Sequence, residues 1–340
     1  MSDNYREVVH QMEQAGLEFR PRDLPLKVDT TRKVTCGKGG KWWYRLHTFQ
    51  PDGVSLSYIV GSFGSYRTGH AEKVHWDRDE LTEAQRAQYR AERERQEAAD
   101  RAARAEEERL AALSAAELWA GAAREGSSAY LARKGVAPEA CRYMPDGSIV
   151  VPLLRYDLPR EQALRACQRI YPGPRTHRRT GEDLPQKIFT KNFAKTGCSV
   201  RLGEISADTW LMLLCEGYAT GLSIRMATGR RWPVFVALDA YNLSPVAELL
   251  RGLYPSAHML ICADDDWQSA DHEGPNPGRR KARKAARAVD GCDVVYPVFS
   301  VPDRGPKETD FNDLHLREGL PVVARQLGRV IGMLEAVHGG

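Results

Sequence analysis

The chain has 340 residues, of which 42% are hydrophobic and 28% charged, a composition typical of a soluble globular protein with room for two domains. A net charge of +4 does not by itself indicate nucleic-acid binding, although Lys and Arg are concentrated in residues 178–197 and 278–289. No apolar run is long enough to span a bilayer, and the polar N-terminus does not resemble a secretory signal. Seven scattered cysteines without a CxxC pair favour a reducing, cytoplasmic location.

Residues 1–78 are predicted to form a small β-rich module. Short aromatic and β-branched runs such as KWWYRLHTFQ and VSLSYIVGSF are separated by Gly and Pro. Aromatic and basic residues alternate in GGKWWYRL and FGSYRTG, a mixture that suits stacking and phosphate contacts with a single-stranded template. The same pattern is equally compatible with an ordinary β core that has charged edges, so both interpretations stay open.

Residues 79–113 are predicted to form one long, solvated helix that links two domains. The stretch from Leu81 to Leu113 contains no Gly or Pro and places Glu and Arg three and four residues apart. Its apolar positions are mostly alanine, which is too little apolar surface for a coiled coil. A linking helix is therefore favoured over a helix that docks a partner.

Residues 114–205 are predicted to form a mixed α+β region. SAAELWAGAA and SSAYLARKGV have helical patterns, SIVVPLLRYD and ALRACQRIYP alternate like strands, and QKIFTKN and CSVRLGE follow as short strands or turns.

Residues 206–340 alternate between strands and helices, a rhythm typical of an α/β layer with a parallel sheet. Within this region Thr220 is predicted to cap the first helix, Gly229 to end it, and Ser244 to cap the second. The predicted strands are WLMLLC, PVFVALDA, HMLICADDD and CDVVYPVF, and the helices are TGLSIRMATG, SPVAELLRGLYP, PGRRKARKAARAVDG and PVVARQLGRVIGMLEAV.

Three acidic turns follow strands of this last region. Glu216 comes directly after WLMLLC, the run Asp264–Asp266 ends the third strand, and Asp310 and Asp313 come after the fourth. Ligands of open parallel sheets bind beyond the carboxyl ends of the strands, so these turns are expected to converge on one edge. Carboxylates this close repel one another unless cations lie between them, and an all-oxygen donor set favours Mg²⁺ or Mn²⁺ over zinc. Two such ions would suit phosphoryl or nucleotidyl transfer.

Two other cofactor sites are not supported by the sequence. The segment GKGGKWW is not a phosphate-binding loop, because Thr35 stands where the first glycine is required and Trp42 where Ser or Thr is required. A fused helicase motor is therefore not expected, so either a separate helicase supplies single-stranded template or the substrate is already single-stranded. No zinc is predicted, because the spacing of the candidate ligands fits no standard zinc site: Cys36, His47, His70 and His75.

The stretches LLCEGYATGLSI, VFVALDAYNL, ICADDD, PGRRKARKAA and TDFNDLH together resemble the Toprim-domain primases of phages, plasmids and integrative elements. Upstream, YLARKGV, VVPLLR, QRIYPG and CSVRLGE are similar to the catalytic core of the same family, so the resemblance covers roughly residues 114–320. It implies a Rossmann-like α/β Toprim domain, an α+β primase N-lobe and a DNA primase activity. Such an enzyme condenses ribonucleoside triphosphates into short RNA primers on single-stranded DNA. The zinc module that bacterial-type members usually carry is not legible here.

The resemblance also implies roles for the matching residues. Glu216 would be a metal ligand or the general base for the attacking hydroxyl group. Asp264 and Asp266 would be the metal ligands of an Asp-x-Asp motif, with Asp265 at its variable position, and Asp310 would complete the metal shell. The residues expected to bind nucleotide or template are Lys187, Lys191, Lys195, Asn312 and Asp313.

Two alternatives use the same residues differently. A Toprim nuclease would cut phosphodiesters with the same carboxylates, but the nucleases of this type that carry an ATPase are a poorer match because no ATPase motif is present. A non-catalytic adaptor that binds single-stranded nucleic acid would need only a vestigial site, and three intact acidic turns argue against it. A type IA topoisomerase would need a large strand-passage gate, for which 340 residues leave little room.

Overall fold

The computed structural model describes residues 4–30, 32–66, 70–76, 81–271, 273–300 and 303–338. The chain forms two compact units, residues 1–106 and 107–340. Among the described residues no helix combines the length and the apolar character that crossing a bilayer requires. In the described ranges the helices are α1 Tyr5–Gln14, α2 Glu83–Gly121, α3 Ala129–Arg133, α4 Tyr218–Ala227, α5 Leu243–Leu253, α6 Pro277–Arg287, α7 Phe311–Glu318 and α8 Leu320–His338.

In the part of the chain that the structure describes, the strands fall into three sheets and two short hairpins. In the described ranges they are β1 Val34–Cys36, β2 Trp42–Phe49, β3 Tyr58–Ser65, β4 Ala71–Lys73, β5 Arg142–Tyr143, β6 Ile149–Leu154, β7 Leu164–Ile170, β8 Arg175–Thr176, β9 Asp183–Leu184, β10 Lys187–Phe189, β11 Val200–Leu202, β12 Leu211–Cys215, β13 Val234–Val236, β14 His258–Cys262, β15 Ala270–Asp271, β16 Gly274–Pro275 and β17 Cys292–Val295.

The first unit is an antiparallel sheet of β1 to β4 in sequence order, covered by α1. Tyr44, Leu46 and Phe63 of the sheet share a buried core with Val8 and Met12 of α1. The predicted β-rich module is therefore confirmed. Helix α1 was not predicted, although its buried residues at positions 8 and 12 have the spacing of one helix face.

Helix α2 is longer than predicted. It continues through SAAELWAG, which the sequence suggested to be a separate helix, and reaches Gly121 because no Gly or Pro interrupts it earlier. Most of its side chains are exposed or half-buried, and Ala111 and Ala115 are buried.

The second unit begins with an antiparallel sheet in the order β10-β7-β6-β5. The predicted strands SIVVPLLRYD and ALRACQRIYP are its central pair, β6 and β7. Their buried residues pack with Tyr130 of α3, and the short β10 extends the sheet by pairing with β7. This sheet, together with α3, is the predicted α+β N-lobe.

A five-stranded sheet in the order β11-β13-β12-β14-β17 forms the rest of the second unit. Four strands are parallel, as predicted, and β11 is an antiparallel edge strand that the sequence grouped with the upstream region. All residues of β12 and β14 are buried, because α4, α7 and α8 cover one face and α5 and α6 cover the other. Continuous apolar strands such as LMLLC are typical of a sheet that is covered on both faces.

Helix α4 begins earlier than predicted. Gly217 is its N-cap residue, so Thr220 lies in the first turn and is not the cap. A Cβ atom on Gly221 would come within 2.7 Å of Cγ2 of Val236, so glycine is needed for α4 to pack closely on β13. Ser244 is likewise inside α5, whose N-cap residue is Asn242.

Candidate metal centre

Four carboxylate residues lie at the carboxyl edge of the parallel strands. Glu216 directly follows β12, Asp264 and Asp266 follow β14, and Asp310 precedes α7. Their charges act on one another: Asp266 and Asp310 raise the pKa of Glu216, and Glu216, Asp310 and Asp266 raise the pKa of Asp264. The structure thus brings these side chains to one edge. We call them the acidic edge.

Asp264 is the most constrained member of the acidic edge. Its Oδ1 atom is buried and accepts no hydrogen bond from any residue that the structure describes. Burial and the negative charges of Glu216 and Asp310 raise the pKa of Asp264 well above its ordinary value. A buried acceptor without a donor is costly, so this atom is suited to a cation.

Glu216 has a pKa near neutrality. Burial, followed by the negative charges of Asp266 and Asp310, raises its pKa to about 7. Lys281 and Lys187 act in the opposite direction because their positive charges favour the carboxylate. A carboxyl group with such a pKa can exchange a proton near physiological pH.

Asp265, the central residue of the Asp-x-Asp motif, holds the acidic turn in place. It is only 3% exposed, and its side chain accepts hydrogen bonds from Arg304 Nη1 at 2.7 Å and from Asn276 Nδ2 at 2.6 Å. Its backbone N–H donates to the carbonyl of Thr309 at 2.7 Å. Burial alone would raise the pKa of Asp265, but the bonds from Arg304 and Asn276 outweigh this effect and lower it. The variable position is therefore the structural anchor of the turn.

Asp266 and Asp310 are oriented by helix ends. Asp266 Oδ2 accepts a hydrogen bond of 2.9 Å from the backbone N–H of Gly278 in the first turn of α6. Asp310 is the N-cap of α7, and its Oδ2 accepts a hydrogen bond of 2.7 Å from Thr220 Oγ1. Thr220 therefore links the two turns that carry Glu216 and Asp310, a role that the capping interpretation missed.

The acidic edge fits a divalent cation in its chemistry. All of its donors are carboxylate oxygens, a set that suits Mg²⁺ or Mn²⁺, and Asp264 Oδ1 is a buried acceptor without a donor. Among the described residues, no group of three or more His, Cys, Asp or Glu side chains is already arranged to coordinate an ion.

The three predicted basic residues occupy different positions. Lys187, in β10, lies near the acidic edge. Surrounding protein atoms partly desolvate its ammonium group, and this burial and nearby Lys134 lower its pKa, while Asp310 and other carboxylates oppose the shift; part of the side chain remains exposed to solvent. Lys195 forms an ion pair with Asp239. Lys191 is exposed on the turn after β10, and no hydrogen bond or ion pair engages it within the described ranges.

Asn312 and Asp313 differ from what the sequence suggested. Asn312 is 0% exposed, and its Nδ2 donates to the carbonyl of Lys134 at 2.8 Å and to Ser223 Oγ at 3.0 Å. The predicted contact of Asn312 with nucleotide does not fit this interior position. Asp313 completes the capping box of α7, because its Oδ2 accepts from the backbone N–H of Asp310 at 3.3 Å, and the same atom also accepts from the backbone N–H of Thr309 at 2.9 Å.

Three charged residues near the acidic edge were missed. Lys134 Nζ lies 3.7 Å from Asp313 Oδ1, and Asp239 pairs with Lys195 beyond the end of β13. Lys281 is 8% exposed and donates to Asp271 Oδ2 at 3.1 Å. A weak signal existed for Asp239, because it is an acid that follows the predicted strand PVFVALDA. Lys281 was hidden among the other basic residues of its helix.

Comparisons with known proteins support the resemblance. Residues 211–320 match the family model of the Toprim domain. Two Escherichia coli proteins, each named DNA primase TraC, are 37% identical over 125 residues and 35% identical over 116 residues. These matches span 36% and 34% of this chain, but only 12% and 8% of the two relatives. The chain therefore corresponds to a small part of either relative.

Solved structures of two primases are also similar to this chain. The primase fragment of the bacteriophage T7 primase-helicase is 13% identical with a TM-score of 0.41, and the match covers 60% of this chain and 74% of that one. The Aquifex aeolicus primase with zinc-binding and RNA polymerase domains has the same identity, 13%, and a TM-score of 0.41, covering 97% and 86%. From the family match and the sequence similarity, this chain contains a Toprim domain at residues 211–320 and is similar to DNA primase TraC.

Proposed function

We propose that this chain is a DNA primase, which joins ribonucleoside triphosphates into short RNA primers on a single-stranded DNA template. The observation that carries the proposal is the acidic edge of the Toprim domain, where Glu216, Asp264, Asp266 and Asp310 are brought together. Nucleotidyl transfer needs compensation for the negative charge that gathers on phosphorus and on both reacting oxygens. The similarity to TraC supports priming in preference to other reactions of phosphodiesters.

In this proposal Asp264, Asp266 and Asp310 hold two ions of Mg²⁺ or Mn²⁺, and Glu216 is either a further ligand or the base for the attacking hydroxyl group. When bound, such ions lower the pKa of an attacking hydroxyl group and offset charge on the phosphates. Asp264 contributes the buried Oδ1 atom that has no donor in the described chain. Glu216, with its pKa of about 7, can instead accept the proton of the attacking 3′-hydroxyl group.

Lys187 is proposed to contact the phosphates of the nucleotide. It lies within electrostatic range of Glu216, Asp264 and Asp310, so its ammonium group can approach phosphates held at the acidic edge. Lys191 is exposed and available to the template, whereas Lys195 is engaged with Asp239 and would have to exchange partners. Asp313 is proposed to act indirectly, by capping α7 and by placing Lys134.

The proposal also includes a partner protein, a cellular location and a source of the template DNA. A replicative helicase on another chain is proposed to supply the template, since a duplex must be opened before it can be primed. We place the reaction in the cytoplasm, on the DNA of a mobile genetic element such as a phage or plasmid, in keeping with the family that the motifs resemble.

A synthesis assay tests the proposed function. The protein is incubated with single-stranded DNA, labelled ribonucleotides and Mg²⁺ or Mn²⁺, beside the variant Asp264→Asn/Asp266→Asn. A matched control, Asp208→Asn/Asp290→Asn, removes two exposed carboxylates away from the acidic edge. Short oligomers made by the wild type and the control, but not by the first variant, are the expected result. Shortening of the template would instead favour the nuclease, and salt-sensitive binding without either product would favour the adaptor.

A further inference from the structure

The exposed side of α6 carries a row of positive charges that begins beside the acidic edge. The row borders a groove of about 910 Å³ on the protein surface. The backbone N–H of Gly278, at the start of this helix, bonds directly to Asp266. We call the five residues of this row the basic face: Arg279, Arg280, Arg283, Lys284 and Arg287.

The sequence of α6 explains why these charges share one side. Pro277 and the Asn276 cap begin the helix, and Asn276 Oδ1 accepts from the backbone N–H of Arg279. Gly278, Ala282 and Ala285 are buried, so small residues face the sheet. The cations recur at three- and four-residue intervals on the side away from it.

Some residues of the basic face form ion pairs with aspartates, and others form none. Arg279 Nε lies 2.6 Å from Asp265 Oδ1, and Arg280 pairs with Asp271. Beyond this first turn, the remaining three cations are exposed and form no ion pair with any residue that the structure describes. They are Arg283, Lys284 and Arg287.

Uncompensated charges of one sign are unusual on a surface helix. Like charges four residues apart repel each other and destabilise a helix, and exposed helices usually intersperse both signs. Arg283 and Arg287 form such a pair, and neither has an acidic partner within the described ranges. A bound polyanion would convert this repulsion into attraction.

We propose that the basic face binds the phosphate backbone of the single-stranded nucleic acid that passes the acidic edge. This inference rests on the proposed function, because it adds the path of the strand to the reaction. Residues four apart in a helix are about 6 Å apart along its axis, comparable with neighbouring phosphates of an extended strand. Trp267 follows directly after Asp266 and is 42% exposed, so an aromatic surface for base stacking lies at the start of the path.

A matched pair of double variants tests the inference. Arg283→Ala/Arg287→Ala removes two cations from the basic face, and Arg325→Ala/Arg329→Ala removes two exposed arginines with the same spacing from α8. Binding of fluorescent single-stranded DNA and of RNA of the same sequence is measured across a salt series. For the α6 variant we expect roughly tenfold weaker binding, with a log–log salt slope that is shallower by about 1.4, or about 0.7 for each lost phosphate contact.

The outcomes separate the inference from the proposed function. Unchanged binding by the α6 variant, or an equal loss in the α8 variant, would overturn the inference, even if the wild type makes primers. Selective loss of binding supports it, even if the wild type makes no oligomer and the proposed function fails. A larger loss for DNA assigns the face to the template, and a larger loss for RNA assigns it to the product. Thermal unfolding checks the fold, which should be unharmed because alanine is the best helix former.

Discussion

Gly278→Ala probes the close contact between α6 and the acidic turn. A Cβ atom at this position would lie 2.5 Å from the carbonyl oxygen of Asp264 and 2.9 Å from Asp266 Oδ2, both below the 3.0 Å that real Cβ atoms keep. The carbonyl belongs to the backbone and cannot rotate away. The added methyl group must therefore displace either the start of α6 or the turn that carries the two aspartates.

The size of the effect on the unfolding free energy can be worked out by comparison with a matched glycine substitution. Gly328, in α8, is exposed and would place its Cβ atom in open space, so Gly328→Ala is expected to stabilise the protein by about 1 kcal/mol through helix propensity. Gly278→Ala adds to the same substitution an overpacking cost of about 1–3 kcal/mol. The two variants should differ in unfolding free energy by about that cost.

Chemical denaturation measures this difference, and primer synthesis shows whether the aspartates have moved. We expect Gly278→Ala to lose synthesis even at temperatures where it is fully folded, and Gly328→Ala to keep it. Equal stability and equal synthesis in the two variants would refute the view that close approach at Gly278 sets the position of the acidic turn.

Three other substitutions test separate parts of the site. Asp265→Asn removes the charge that binds Arg304 and should lower the free energy of unfolding, measured in urea, by about 3–5 kcal/mol. Because folding lowers the pKa of Asp265, this loss of stability relative to the wild type should be present at neutral pH and should vanish as the pH falls through the range in which the carboxylate is protonated. Glu216→Gln should increase the free energy of unfolding of the metal-free protein. Since folding raises the pKa of Glu216 from 4.5 to about 7, this increase should grow as the pH rises between those values. An increase that shrinks as the pH rises would contradict the raised pKa of Glu216. Lys187→Ala should reduce primer synthesis roughly tenfold or more without changing the melting temperature, whereas Lys191→Ala should have a smaller effect; a loss of fold in Lys187→Ala would contradict its role in nucleotide binding.

The sequence was most informative where local pattern decides structure. Apolar runs that end in an acid, as at Glu216 and Asp264, marked the carboxyl ends of buried strands, because both faces of the sheet are covered. Contacts between distant residues were not predictable in this way. Asn312 bonds to the carbonyl of Lys134 across 178 positions, and Thr220 bonds to Asp310 across 90. Neither local propensity nor spacing contains information on such pairs, so the sequence alone suggests a helix cap at Thr220 and a nucleotide-binding residue at Asn312.

The two ends of the segment that follows Asp264–Asp266 are held together by hydrogen bonds. Asn276 donates its backbone N–H to the carbonyl of Ser269 at 2.8 Å and its side chain to Asp265 at 2.6 Å, so the β15–β16 hairpin leaves and returns at nearly the same place. A change in the length of this hairpin is therefore not expected to change the distances between the aspartates. Extra residues could therefore be inserted in this hairpin, for example to carry a fluorescent label or a crosslinker. They would lie next to the proposed path of the nucleic acid, and the aspartates would keep their arrangement.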